Sequence, residues 1–293
     1  MSTRKWITAA LAALLGLCVL LAVVAVPRTP AAQTADVAIL MYHAFTEDEA
    51  DTGSLYTLAS EFARQLSALR DAGYTSVGYA DLIEFVNGDG KLPGKPLLIS
   101  IDDGYQNNLD LAAPLLEKYG FCANIAVIGV SIGHKTYKDT DIPITPHFSL
   151  EDVRPWIARG VLTVTTHSYD MHQVAAVDGN DCRRGVLQMH GEAESDYIAA
   201  LTQDYTRAQE QLAGLPGTPL PVFTYPNGAY SELSERVLQA LGVQVTVTTE
   251  GGANRLVKGE PETLRLLHRI HVWRGTKPDM LLSRIDGALQ ALR

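Results

Sequence analysis

Two short stretches of the chain carry residues suited to metal-assisted hydrolysis. Leu97-Leu98-Ile99-Ser100-Ile101-Asp102-Asp103-Gly104 is an apolar run that ends in two adjacent carboxylates and a glycine. Val161-Leu162-Thr163-Val164-Thr165-Thr166 ends in His167-Ser168-Tyr169-Asp170-Met171-His172. Apolar runs of this length read as buried strands, and in α/β folds chemistry collects at the C-terminal ends of strands. One carboxylate and two imidazoles form a facial ligand set for a divalent ion, with positions left for water and substrate. Adjacent carboxylates repel unless a cation or a proton separates their roles, so one can bind the ion while its neighbour stays free as a base. Neighbours on an extended strand point to opposite faces. Both reach one site only where the strand twists or ends, and Gly104 permits such a break.

The elements that must position these groups alternate between strand and helix. A strand is expected over 37–43, ending in His43. Ser60 then caps a helix that carries Phe62, Leu66 and Leu69 on one face and stops near Gly73. Further helices are expected over 81–86, 108–119, 195–212, 232–241 and 281–292, with strands over 121–128, 221–225 and 243–248. Ser149 caps another helix, with Glu151 and Asp152 in the first turn where the macrodipole favours them. Residues 129–148 read as a loop, with His134 and His147 solvated, and 173–192 as a surface excursion. Repeated β-then-α units predict a parallel sheet with right-handed crossovers. Chemical groups follow three strand ends, at Asp102/Asp103, at His167/His172 and after Tyr225. That favours a distorted (β/α) barrel whose strand ends converge on one mouth.

The N-terminus is a separate object. Arg4 and Lys5 precede an uncharged run over 6–26 that is long enough to span a bilayer. The basic residues 1–5 place the N-terminus in the cytoplasm and the rest outside. An uncleaved signal-anchor and a cleaved signal peptide are the two alternatives, giving a membrane-held extracellular domain or a secreted one. Residues 27–36, rich in Pro, Ala and Thr, read as a linker before a globular domain over 37–293. The formal net charge of −9 argues against a nucleic-acid partner. Cys122 and Cys182 lack zinc-type spacing and are expected to be unpaired.

Ser100-Ile101-Asp102-Asp103-Gly104 and His167-Ser168-x-x-x-His172 together resemble the first two motifs of the polysaccharide deacetylase family, the NodB-homology domain. The four-residue spacing between the histidines and the opening Met41-Tyr42-His43 are similar to the branch acting on poly-N-acetylglucosamine. Phe223-Thr224-Tyr225-Pro226-Asn227-Gly228 stands where the third motif, Arg-Pro-Pro-aromatic-Gly, is expected. The resemblance implies a NodB-type barrel that removes N-acetyl groups from an N-acetylglucosamine-containing extracellular or cell-wall polysaccharide, as a monomer. It implies Asp102 as general base and Asp103, His167 and His172 as ligands of one divalent ion. Zinc is favoured on family grounds, with cobalt, nickel, iron and manganese also compatible with the donors. Tyr225, Pro226 and Asn227 would line the substrate groove, the Asn227 N–H serving the oxyanion. A late histidine would protonate the leaving amine, His268 preferred over His271. The third motif departs from the pattern: Thr224 replaces the arginine that pairs with the base, and Arg269 is a candidate substitute. The lost arginine also motivates an alternative, a catalytically weak or inactive glycan-binding module on the same fold. A paired-aspartate phosphohydrolase is disfavoured, because its aspartates are normally separated by one residue and no phosphate-holding Gly-rich or Lys element is present.

Overall fold

The computed structural model describes residues 33–51, 53–217 and 219–293, with Thr34–Arg293 forming one unit. The basic segment 1–5, the apolar run 6–26 and most of the 27–36 linker lie outside the described residues. Among the described residues, no helix is long and apolar enough to cross a membrane.

The chain opens with β1 (Thr34–Tyr42), two three-residue strands, β2 (Ala44–Thr46) and β3 (Tyr56–Leu58), and helix α1 (Ala59–Asp71). β4 (Thr75–Ser76), α2 (Tyr79–Asn87) and β5 (Pro96–Asp103) follow. A wide turn over Asn108–Ala112 runs into α3 (Ala113–Tyr119), then β6 (Ala123–Val127), α4 (Leu150–Ala158) and β7 (Leu162–Thr166). Next come α5 (Ala175–Asp178), α6 (Glu194–Leu212), β8 (Val222–Thr224), α7 (Glu232–Ala240) and β9 (Val245–Val247). β10 (Ala253–Val257), β11 (Ile270–His271) and α8 (Pro278–Gln290) complete it.

The main sheet runs β10-β1-β5-β6-β7-β8-β9, parallel except for β10. The segment after β10 returns to both ends of the parallel run. Leu267 bridges Val247 of β9, and Ile270 and His271 pair with Leu40 and Met41 of β1. The result is a barrel-like curl joined through one short segment instead of a full strand. β10 was not expected from sequence. It pairs with β1 from Thr34 onward, so the strand starts three residues before the expected Val37, with Asp36 ion-paired to Arg255 at 2.8 Å.

Alternation along β5 sorts its side chains. Leu97, Ile99 and Ile101 pack outward with Phe62, Leu66 and Leu69 of α1 and with Leu281 and Ile285 of α8. Leu98 faces the other way, into a cluster with Val37, Ile39, Val245, Val247 and Leu267. By the same period Ser100 and Asp102 continue the Leu98 face, so Asp102 stands at the mouth end of the interior. Ser149 does cap α4, accepting from the Asp152 N–H at 3.3 Å while Asp152 accepts from the Ser149 N–H at 3.0 Å. Ser60, by contrast, sits inside α1, whose N-cap is Leu58 without a side-chain bond. Cys122 and Cys182 are free thiols.

Candidate metal centre and active site

Alternation along β5 would turn Asp103 away from Asp102. The backbone prevents this: Asp103 takes φ 73°, and the Gly104 N–H bonds back to the Asp102 carbonyl at 3.0 Å. This tight left-handed turn costs of order 1–3 kcal/mol at a non-glycine residue. It brings both carboxylates to one mouth. Gly104 follows at φ +85°, and a Cβ there would fall 2.8 Å from a Val127 methyl, so the position tolerates no side chain.

Cross-strand register aligns the remaining groups. Asp103 pairs with Val127, Val127 with Thr166, and Thr166 with Phe223, so His167 emerges beside Asp103 with Thr224 next to it. His167 Nδ1 lies 2.8 Å from the Thr224 carbonyl oxygen. A carbonyl can only accept, so Nδ1 carries the proton and Nε2 presents its lone pair to the site. Burial pushes the His167 pKa down to about 4, and the imidazole is neutral at ordinary pH.

The four residues between the histidines form a tied turn. Ser168 is left-handed at φ 71°, and its hydroxyl accepts from the Met171 N–H at 3.1 Å. The carboxylate of Asp204, on α6, accepts from the N–H groups of Tyr169 and Asp170 at 2.9 and 2.7 Å. This turn returns His172 to within 5.0 Å of the His167 ring, centroid to centroid.

His167 Nε2 and His172 Nε2 lie 3.7 and 3.8 Å from Asp103 Oδ1. One ligand atom from each residue lies within 4.8 Å of the others. Ligands about 2.1 Å from a tetrahedral ion stand about 3.4 Å apart, so this spacing fits a first-row divalent ion. Asp103 Oδ1 is buried without a hydrogen-bond partner, as a carboxylate oxygen reserved for a cation would be.

Asp102 is held differently. Arg269, fully buried, donates from Nη1 to Asp102 Oδ1 at 2.7 Å and from Nε to the Thr248 carbonyl at 2.7 Å. Burial opposes the charge on Asp102, but Arg269, with His167 and His43, holds the carboxyl well below the usual range. Arg269 thus stands where the third motif's arginine is missing, delivered by the segment that closes the curl. His43 Nε2 lies 3.9 Å from Asp102 Oδ2, and the His43 ring is 5.9 Å from that of His271. The strand end that His43 occupies is the sequence signal of its place.

Several expected site residues stand elsewhere. His268 points away from Asp102: it faces Glu250 at 3.5 Å and is 42 % exposed. Side chains alternate along this stretch, so His271 shares the Arg269 face and His268 takes the other. Tyr225 is not a groove residue. It is fully buried, packs 5.3 Å from Phe223, and donates to Glu235 at 2.6 Å. Its N–H bonds the Val247 carbonyl, and Pro226, also buried, has no N–H. Gly228 and Ala229 donate to Tyr225 and Pro226, so among the described residues the Asn227 N–H is this segment's donor without a backbone bond. Asn227 is left-handed at φ 56° and exposed. His147, expected in solvent, is buried and neutral, burial pushing its pKa down to about 4.

The polysaccharide deacetylase family matches residues 89–246, more than half of the chain. The chain belongs to that family. YxkH of Bacillus subtilis (strain 168), named for the same family, is 28 % identical over 234 residues, covering 80 % of this chain and 70 % of that protein. The poly-β-1,6-N-acetyl-D-glucosamine N-deacetylase of Escherichia coli (strain K12) is 22 % identical over 226 residues. That match covers 73 % of this chain but only 34 % of the E. coli protein. A solved de-N-acetylase from Aggregatibacter actinomycetemcomitans shares the fold, with a TM-score of 0.73 at 19 % identity, over 85 % of this chain and all of that one.

Proposed function

We propose that this polysaccharide deacetylase is a metal-dependent hydrolase that removes N-acetyl groups from N-acetylglucosamine units of an extracellular or cell-wall polysaccharide. The observation that carries the reading is the convergence of Asp103, His167 and His172 beside a separately held Asp102. The name of the E. coli relative supports the sugar class.

Asp103, His167 and His172 would hold one divalent ion, zinc favoured on family grounds. When bound, the ion supplies Lewis acidity that polarises the acetamide carbonyl and acidifies the attacking water. Asp102 takes the proton of that water. Arg269 keeps Asp102 ionised and points its second oxygen, Oδ2, towards His43. The Asn227 N–H is the donor for the developing oxyanion. His43 gives the proton to the departing sugar amine; in support, His268 faces Glu250 instead of Asp102. Proton transfer by a positioned side chain contributes about 10²–10⁴-fold.

The glycan-binding alternative rested on the missing third-motif arginine, and Arg269 removes that motive. Acetate release from N-acetylglucosamine oligomers should require added divalent metal and vanish in Asp102→Asn. It should also vanish in His167→Ala, together with stoichiometric metal binding. Metal binding with no turnover on any N-acylated glycan would refute the hydrolase reading. The segment 6–26 would hold the domain at the outer face of the membrane or be removed on export. Fractionation of cells carrying the full chain distinguishes the two.

A further inference from the structure

The segment that delivers Arg269 continues past the base. Ile270 and Val272 pack into the same core cluster as α1 and α8. By the period of an extended strand, Arg269, His271 and Trp273 therefore share the opposite face. The Val272 N–H bonds the Met41 carbonyl at 2.9 Å, so the segment stays paired with β1 to this point. β11 runs parallel to β1, and β1 to β5, so Trp273 leaves the sheet at the same end as Asp102 and Asp103. The row climbs from the interior to the rim. Arg269 is fully buried against Asp102, His271 is partly buried beside His43, and Trp273 is 42 % exposed.

The exposed indole is firmly held. Arg284, on α8, sets its guanidinium 4.2 Å from the ring centroid and donates to the His271 carbonyl at 2.7 Å. The His271 and Trp273 rings meet at 5.7 Å and 86°. The Thr276 N–H returns to the Trp273 carbonyl at 3.1 Å, and Gln65 of α1 donates to the Thr276 carbonyl at 2.6 Å. Arg274 ties the same turn to the carbonyls of Asp51 and Glu49. Ring contacts thus run unbroken from His43 through His271 to Trp273. A side chain fixed in advance loses little freedom when a ligand lands on it. An indole offers apolar surface and one N–H donor. A pyranose presents apolar C–H faces edged with hydroxyl oxygens, which match both. Trp156, by contrast, is partly buried beneath Arg159.

In the reaction proposed above, His43 protonates the departing amine, so the pyranose that bears the amine lies on the His43 side of the metal centre. We propose that the neighbouring unit of the glycan extends along the row towards the rim and packs on the exposed indole of Trp273, which makes Trp273 a specificity-determining residue. The assignment rests on the deacetylase reading and adds to it a contact for a sugar that does not react.

The test is calorimetric binding of a β-1,6-linked N-acetylglucosamine tetramer to zinc-loaded Asp102→Asn protein, in which turnover is blocked. Adding Trp273→Ala should weaken tetramer binding about tenfold, and adding Trp273→Phe, which keeps an aromatic ring, should retain most of the affinity. Tetramer binding should change the indole emission of the parent, and the Phe variant should lose that change while still binding. In the otherwise unaltered enzyme, Trp273→Ala should raise the tetramer KM about tenfold with kcat little changed. Unchanged tetramer affinity in the Ala variant overturns the proposal, as does an emission change that survives in the Phe variant. A fall in kcat at constant KM also overturns it, because Trp273 would then act only as a support of His271 and His43. Failure of the Asp102→Asn parent to bind any N-acetylated glycan sinks the deacetylase reading as well, so the two failures are distinguishable.

Discussion

Arg269→Met removes the buried cation that holds Asp102 ionised. The two groups meet at 2.7 Å with essentially no solvent access. Unit charges about 4 Å apart interact by about 4 kcal/mol at an effective dielectric near 20. Breaking a buried pair from one side costs about 3–5 kcal/mol, in agreement. At about 1.4 kcal/mol per tenfold change in protonation, loss of Arg269 moves the Asp102 carboxyl up by about three pH units. Burial then acts on it almost unopposed. The acid limb of kcat/KM, measured by acetate release, should move upward to match, while Arg269→Lys, which keeps a charge, should move it far less. Stability supplies an independent reading. Asp102→Asn and Arg269→Met should each lower the unfolding free energy by about 3–5 kcal/mol, and the double variant should lose much less than the sum, a coupling of about 3 kcal/mol. Additive losses in urea unfolding, together with an unmoved acid limb in Arg269→Met, would refute the claim that this guanidinium governs the base.

His43→Ala should cut turnover about 10²-fold or more, while His268→Ala should change it less than threefold; the reverse ranking would return the proton-donor role to His268. Tyr225→Phe should lower stability by about 1–3 kcal/mol, because Glu235 loses a 2.6 Å buried donor, with kcat/KM unchanged. A fall in kcat/KM at constant Tm would put Tyr225 back in the groove. Burial holds His147 and His167 neutral down to about 4, whereas the unfolded chain binds their protons near 6.5. The unfolded state thus carries more protons between these values, so the metal-free protein should lose stability as pH falls from about 6.5 to about 4. A Tm flat across that window would contradict the buried, neutral assignment.

The parts of the site legible in sequence are those where local pattern and chemistry coincide. Asp102, Asp103 and His167 follow apolar runs that become strands β5 and β7, one on each side of β6, and Gly104 marks the break that lets both carboxylates turn to one mouth. What the sequence leaves open or hides depends on distant packing, and Arg269 is only a candidate partner there. Arg269 is 167 residues from Asp102 and precedes a two-residue strand, too short to show any period. Without that strand, nothing distinguishes the faces of His268 and His271. β10 follows Gly251-Gly252, and only its pairing with β1 makes it a strand. His147 sits in a polar stretch whose burial comes from its ties to Gly104 and Tyr105. Tyr225 lies beside a motif in sequence, but its side chain turns into the packing between β8 and α7.

The partner of Asp102 stands just before the last strand of the barrel-like curl, while Asp102 itself lies in the first half of the chain. During synthesis, the proposed metal ligands Asp103, His167 and His172 leave the ribosome before Arg269 does. Until then Leu40 and Met41 at the end of β1 lack their β11 partners, and Asp102 lacks the Arg269 guanidinium. A nascent or C-terminally clipped chain would therefore bring the ion's ligands together without an ionised base. On the proposed mechanism, such a chain gains a fully paired base only when residues 267–271 join the sheet.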